Sequence, residues 1–162
     1  MNVAITFDKE MMKRMPGQCY DAIVRAKLRA LSDIGQAVAS RATMAFRTPK
    51  LRPSPWAPRK PSYIVTVNKK TKKKTRKLDD HPLLIKSGVL RQSINWKLED
   101  GDTVVIGTDK KYAGYHQLGT KKMPARPFMP VDAKGDLTPD MVRKINKLVA
   151  NDVQEELAKI GV

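Results

Sequence analysis

The chain has 162 residues, 41% of them hydrophobic but only 6% aromatic, and 32 Lys and Arg set against 16 Asp and Glu give a net charge of +16. That length fits one domain over residues 1–162, with a modest core and long irregular connections at its 11 prolines. A single cysteine, Cys19, excludes an intramolecular disulfide, a cysteine-based zinc site and a redox pair, and it fits a reducing cytoplasm. The first ten residues lack a basic segment followed by an apolar run, and no apolar stretch reaches 18 residues, so neither export by an ordinary signal nor a membrane span is expected.

Asn2 to Phe7 alternates, with Val3, Ile5 and Phe7 on one side, which predicts a short strand. Asp8 then caps a helical turn through Met15, stopped by Pro16-Gly17. Tyr20, Ile23, Val24, Leu28, Leu31, Ile34, Val38, Ala42 and Ala45 recur every three or four residues, with Arg25, Arg29, Ser32, Asp33, Gln36, Ser40 and Arg41 mainly between them. One long amphipathic helix from about Cys19 to Phe46 follows, and it needs an apolar partner surface. Met11, Met12, Met15 and Met44 read as packing residues, since methionine fills irregular apolar gaps.

Five prolines between Thr48 and Pro61 forbid a continuous helix or a central strand, so an extended arm is expected over 48–80. Trp56 sits inside this arm as an anchor, either on its own domain or on a neighbouring subunit. Tyr63 to Val67 reads as a short strand leading into Lys69-Lys-Thr-Lys-Lys-Lys-Thr-Arg-Lys77. Arg47 to Lys77 holds 12 Lys or Arg and no acidic residue, so the basicity of the chain belongs to this segment. One reading of the run is a solvated, mobile loop tip. The other is contact with phosphates without base readout, because no aromatic residue is interleaved between Lys69 and Lys77 to stack on bases.

Ser87, followed by Val89, Leu90 and Ile94, reads as the N-cap of a short helix. Trp96 to Leu98 and Thr103 to Gly107 read as a hairpin turned by Glu99-Asp-Gly-Asp102. Tyr112, Tyr115 and Leu118 share one side of a short helix ended by Gly119, after which Pro124, Pro127 and Pro130 force an extended exit. His81 and His116 read as surface, capping or packing residues, because no further ligands stand at metal-binding spacing. Thr138-Pro139-Asp140 starts a last helix to about Lys159, with Met141, Val142, Ile145, Leu148, Val149, Val153, Leu157 and Ile160 as its apolar stripe. These elements add up to an α+β fold, a small antiparallel sheet packed by a long N-terminal helix and a C-terminal helix, with a long basic Pro/Lys-rich loop.

The ordered set Ser87-Gly88, Leu90-Arg-Gln-Ser-Ile94, Val105-Ile-Gly-Thr108, Tyr112-Ala113, His116-Gln-Leu-Gly119 and Pro124-Ala-Arg-Pro-Phe128 resembles the phage virion morphogenesis family. Phe46-Arg-Thr-Pro49 and Pro55-Trp-Ala-Pro58 are similar to that family's upstream segment, except that no Gly stands beside Pro53 or Pro55. The resemblance covers roughly Ile34 to Asp132. It implies a structural protein of a phage or prophage virion that completes the tail and joins it to the head, located at the head–tail joint and in the host cytoplasm during assembly. It implies as partners further copies of the chain in a ring, with a hexamer as one candidate stoichiometry, and other neck and tail proteins.

On that reading the candidate interface residues are Trp56, Tyr112, Tyr115, His116, Arg126 and Phe128, with Phe128 as an inserted anchor and Arg126 pairing with a carboxylate. Intradomain core is the alternative for Phe128 and Tyr112. Lys69, Lys70, Lys72, Lys73, Lys74, Arg76 and Lys77 are expected to face DNA in the ring channel. No cofactor is called for, and the chain carries no Gly-x-Ser-x-Gly, His-Glu-x-x-His, Walker or dinucleotide motif, so no enzymatic role is expected. The competing reading, from charge alone, is a small basic cytoplasmic nucleic-acid-binding protein; a small hydrolase of unknown site is a more distant third.

Overall fold

A computed structural model describes residues 2–4, 10, 14–132 and 134–161. In chain order the elements are β1 (Asn2–Ala4), α1 (Gly17–Ala45), a 3-10 turn (Pro49–Leu51), β2 (Tyr63–Val67), β3 (Lys74–Leu78), α2 (Val89–Gln92), β4 (Asn95–Glu99), β5 (Thr103–Gly107), α3 (Ala113–Leu118) and α4 (Pro139–Ala158). The architecture is the expected α+β, with one three-stranded antiparallel sheet ordered β1-β5-β4 and a separate β2–β3 hairpin. The strand expected through Phe7 is seen as Asn2–Ala4, paired with Thr103–Val105. Its continuation, and most of the turn expected from Asp8 with Met11 and Met12, lie outside the described residues.

Helix α1 finds its apolar partner on the β4–β5 hairpin. Leu31, Ile34 and Val38 pack with Val104 and Ile106, and Trp96 closes the same cluster from β4. The register Trp96↔Ile106 and Leu98↔Val104 puts these residues on one sheet face, as the two-residue period of a strand requires. The helix approaches the sheet closely only because residue 35 is glycine. A Cβ there would lie 2.6 Å from the Trp96 ring and 2.9 Å from Val104 Cγ2. At the ends of the stripe the pattern weakens: Tyr20, Leu28 and Met44 are exposed, so Met44 is not the packing residue expected of it.

Helix α4 lies beside α1 and adds Met141 and Ile145 to the same core. Thr138 takes the extended N-cap backbone with Pro139 at the first helical position, although its side chain makes no capping hydrogen bond. Toward its C-terminus α4 departs from the expected stripe, because its buried residues there are Asp152 and Glu156. The cause stands on α1, where Arg25 Nε donates to Glu156 Oε2 at 3.1 Å and Arg29 Nε pairs with Asp152 Oδ1 at 3.4 Å. Arg29 Nη2 also reaches Glu155 at 2.8 Å. Hydrogen bonds from Lys159 and Arg25 hold the Glu156 carboxyl below its ordinary value, whereas burial first, and the nearby Asp33 second, push that of Asp152 up.

A second apolar cluster joins the C-terminal end of α1 to the arm and to the segment after β5. It contains Ala42, Ala45, Phe46, Trp56, Leu90, Ala113 and Phe128, with Leu83, Leu84, Ile85 and Ile94 at its margin; Met129 packs against both clusters. Helix α2 is the short helix expected, but it is not capped by Ser87. Gly88 is its N-cap residue instead, in the left-handed region at φ 71°, a conformation glycine adopts without a Cβ penalty.

Gly35→Ala forces a methyl group into the Trp96 ring, so it is expected to destabilise the fold by about 1–3 kcal/mol, the usual cost of overpacking. Urea denaturation of the two proteins checks this, and an unchanged midpoint would show that α1 does not need the close approach.

Candidate functional site: exposed surfaces on an aromatic core

Two of the residues expected at a subunit interface are instead in the protomer's own core. Trp56 is 8% and Phe128 2% exposed. The Phe46 ring meets Trp56 edge-on at 5.8 Å and Phe128 at 5.1 Å in a tilted arrangement. Trp56 Nε1 donates to Pro127 O at 2.7 Å, and the Arg52 guanidinium lies 3.8 Å over the indole. Arg52 Nε also donates to Ala45 O at the end of α1, so one side chain ties the arm to the helix. Burial alone shifts the Arg52 pKa down. Of the two placements the sequence leaves open for these rings, the structure shows the intradomain one, because Phe46 at the end of α1 offers both an apolar surface to pack on.

That core holds the 112–130 segment in place. Gln117 Oε1 accepts from Phe128 N at 3.0 Å and from Met129 N at 3.1 Å, satisfying two backbone donors of the proline-rich exit. Arg126 N donates to His116 O at 2.7 Å, and Arg126 Nε donates to Ala57 O at 3.3 Å on the arm. Gly119, at φ 77°, makes the turn, and a Cβ there would lie 2.8 Å from Ala125 N. Gln117 and Arg52 have no role that the sequence alone assigns. Gln117 lies within the His-Gln-Leu-Gly signature, and its position beside a proline-rich backbone is the one available signal.

With its backbone fixed from beneath, α3 presents its other side to solvent. Tyr115 is 60% and Leu118 75% exposed, with Tyr112 partly exposed as well. Tyr112 meets the His116 ring edge-on at 6.0 Å. His116 is half-buried with its Nδ1 unpartnered, and burial, followed by the nearby Arg126 charge, lowers its pKa. The site thus brings Tyr112, Tyr115, His116 and Arg126 together, and leaves Trp56 and Phe128 below as support.

The basic run is the second exposed surface, and it is structured rather than a loose loop. Lys74–Leu78 pairs with Tyr63–Val67 across a tight turn, in which Asn68 Oδ1 accepts from Lys70 N at 2.9 Å and Thr71 N at 3.1 Å. Lys72 takes the left-handed conformation this turn needs, at φ 57°. Lys69, Lys70, Lys72, Lys73, Lys74, Arg76 and Lys77 are all exposed, so seven cations stand on one projecting hairpin. At its base, Asp79 pairs with Arg59 at 3.4 Å and Lys86 at 3.8 Å. Among the described residues no His, Cys, Asp and Glu group could hold a metal ion, and no helix is long and apolar enough to cross a membrane.

The pattern of the phage virion morphogenesis family matches residues 9–154. The chain belongs to that family. No curated protein and no solved structure matches it. Membership makes this a virion-associated structural protein, and the family points away from catalysis. Within this morphogenesis protein the signature residues divide by role, since Phe46, Trp56, Gln117 and Phe128 build the support and Tyr112 and Tyr115 are what it displays.

Because the folded state binds a proton at His116 less readily than the unfolded chain, whose histidines titrate near about 6.5, stability is full above that pH and falls as the pH drops toward the lowered folded value. Unfolding followed between pH 7.5 and 5.5 is expected to show this decline, and His116→Gln is expected to flatten it. An equal decline in the variant would assign the effect to other groups.

Proposed function

We propose that this protein completes the phage tail and joins it to the head as a homo-oligomeric ring around the DNA channel. The observation that carries the reading is the pair Tyr115 and Leu118, exposed side by side on a helix whose backbone is pinned by a buried aromatic cluster, in a member of a virion morphogenesis family. A rigid apolar projection with hydrogen-bonding rims suits a head-to-tail contact, in which one patch meets a different patch on the next copy and the ring closes. Tyr112, Tyr115 and Leu118 supply the burial. Arg126 and His116 supply the polar rim.

The lysine-rich hairpin faces the channel in this reading, because seven exposed cations without a carboxylate among them suit a polyanion of any sequence. The remaining partners are the neck and tail proteins above and below the ring. The mechanism is geometric: subunits fix a collar of set diameter, and no bond is made or broken.

Tyr115→Lys with Leu118→Lys is expected to reduce the native mass to that of one chain, measured by light scattering at about 0.5 M salt, where loose phosphate binding is suppressed. Thermal stability should stay within about 0.5 kcal/mol, as for most exposed positions. An unchanged mass would remove α3 from the interface.

Serine at all seven hairpin cations is expected to weaken retention of DNA in assembled particles and to make its salt dependence shallower, by about 0.9 in the logarithmic slope for each phosphate that is no longer neutralised. Unchanged retention would put the hairpin outside the channel. Strong, salt-sensitive binding of free DNA by a single chain would instead favour a dedicated nucleic-acid-binding protein.

A further inference from the structure

The β2–β3 hairpin is built as if part of its sheet were missing. All ten of its strand residues are exposed, and its only extensive packing among the described residues is strand against strand. A two-stranded ribbon on its own is marginal in water. The register Tyr63↔Leu78, Val65↔Arg76 and Val67↔Lys74 places Tyr63, Val65, Val67 and Leu78 on one face together with Arg76 and Lys74, and each of the four apolar residues is close to half exposed. Arg76 covers part of this face, its guanidinium 3.9 Å over the Tyr63 ring, and Lys74 stands at its tip end. Phosphate contact accounts for the lysines. It does not account for four apolar side chains on one side of the stem.

The main sheet carries an edge of matching kind. In the order β1-β5-β4, strand β4 is terminal, and its outer edge is open among the described residues. Trp96 N, turned to that edge, donates to the neighbouring Asn95 Oδ1 at 2.8 Å, and antiparallel alternation turns the Leu98 amide the same way. Leu98 itself is exposed. The charges contrast: residues 63–78 hold seven cations and no acid, whereas the β4–β5 turn holds Glu99, Asp100 and Asp102, of which Glu99 pairs with Lys97 and Asp102 with Lys27, while Asp100 forms no ion pair among the described residues.

We infer that the hairpin of one copy adds to the open β4 edge of a second copy of this chain, its stem extending the neighbour's sheet with Lys74, Arg76 and Lys77 near the neighbour's β4–β5 turn, while Lys69, Lys70, Lys72 and Lys73 at its tip stay toward the channel. The occupant is a copy of the same chain because the chain itself carries both the basic donor and the acidic edge. Main-chain hydrogen bonds along the edge supply affinity, and the apolar face together with the charge contrast fixes the register. The two patches differ, so the contact is head-to-tail and propagates around a ring. This inference rests on the ring reading above and names a contact additional to α3.

The test uses the full chain with Cys19→Ser. Val65→Cys combined with Leu98→Cys is oxidised, and the products are separated under denaturing, non-reducing conditions. Separately, Val65→Ser with Val67→Ser is sized by light scattering, with a melting curve to establish that the body of the fold is intact. The expected result is a ladder of disulfide-linked multimers, together with at least a tenfold weaker association of the serine variant at an unchanged melting temperature. If the unmodified chain is oligomeric while the serine variant associates equally well and no ladder forms, the hairpin contact is overturned and the ring reading survives. If the unmodified chain is a monomer at every concentration, both fall. Loss of DNA binding in the serine variant without a change of mass would also overturn the contact and assign the apolar face to nucleic acid.

Discussion

The distance between α1 and the sheet sets everything else. Gly35 lets the Trp96 ring and Val104 come up against the helix backbone, and this closeness brings Leu31, Ile34 and Val38 onto Ile106 and gives α4 a surface to lie beside. A small core with few aromatic rings gains stabilisation from closeness rather than from bulk, since dispersion attraction falls off steeply with any gap. The same helix then runs on to Phe46, where the second cluster begins. One rigid rod thus organises two cores, and the segment bearing α3 inherits its rigidity.

The far end of the α1–α4 seam is held differently. Asp152 and Glu156 are buried against Arg25 and Arg29, where aliphatic residues at the neighbouring positions would have continued the core. A paired, buried carboxylate gives little net stability over an apolar residue, but it is costly to mispair, so it specifies which faces of two amphipathic helices meet. In a chain with twice as many basic as acidic residues, placing acids opposite α1 arginines also lowers the local repulsion.

Much of the fold is legible in the chain. The 3.6-residue period locates α1 and α4, the Glu99-Asp-Gly-Asp102 turn locates the β4–β5 hairpin, and Gly119 marks the end of α3. What the sequence does not reveal are exchanges between distant segments. Asp152 and Glu156 look solvated until Arg25 and Arg29 are seen opposite them, and the apolar stripe through Val153 and Leu157 competes for the same face. Trp56 and Phe128 are residue types common at interface anchors, and it is their shared contact with Phe46, with the Pro127 carbonyl and the Arg52 guanidinium on Trp56, that turns them inward. The lysine run reads as a loop because charge masks its pairing with Tyr63–Val67, and the turn that joins the two strands is held by backbone bonds between Asn68 and Lys72 and Lys73 together with the Asn68 side chain. Of the candidate site, the signature marks the helix that carries Tyr112, Tyr115 and His116 and the segment that brings Arg126 beside His116, whereas Gln117, which holds that segment's backbone, is an ordinary polar residue until Phe128 and Met129 are seen beside it.

A virion protein of this kind works by shape, so its chemistry lies in what it leaves uncovered: an apolar ridge on α3, a basic hairpin and an open sheet edge. The proposed ring turns all three from liabilities of a monomer into contacts of an assembly. The most direct test of that account is electron microscopy of the purified full-length protein at a concentration and salt where it is monodisperse. The account predicts closed rings of uniform subunit number around a central opening wide enough for duplex DNA. Particles of single-chain size with no rotational symmetry, unchanged on raising the concentration, would contradict it.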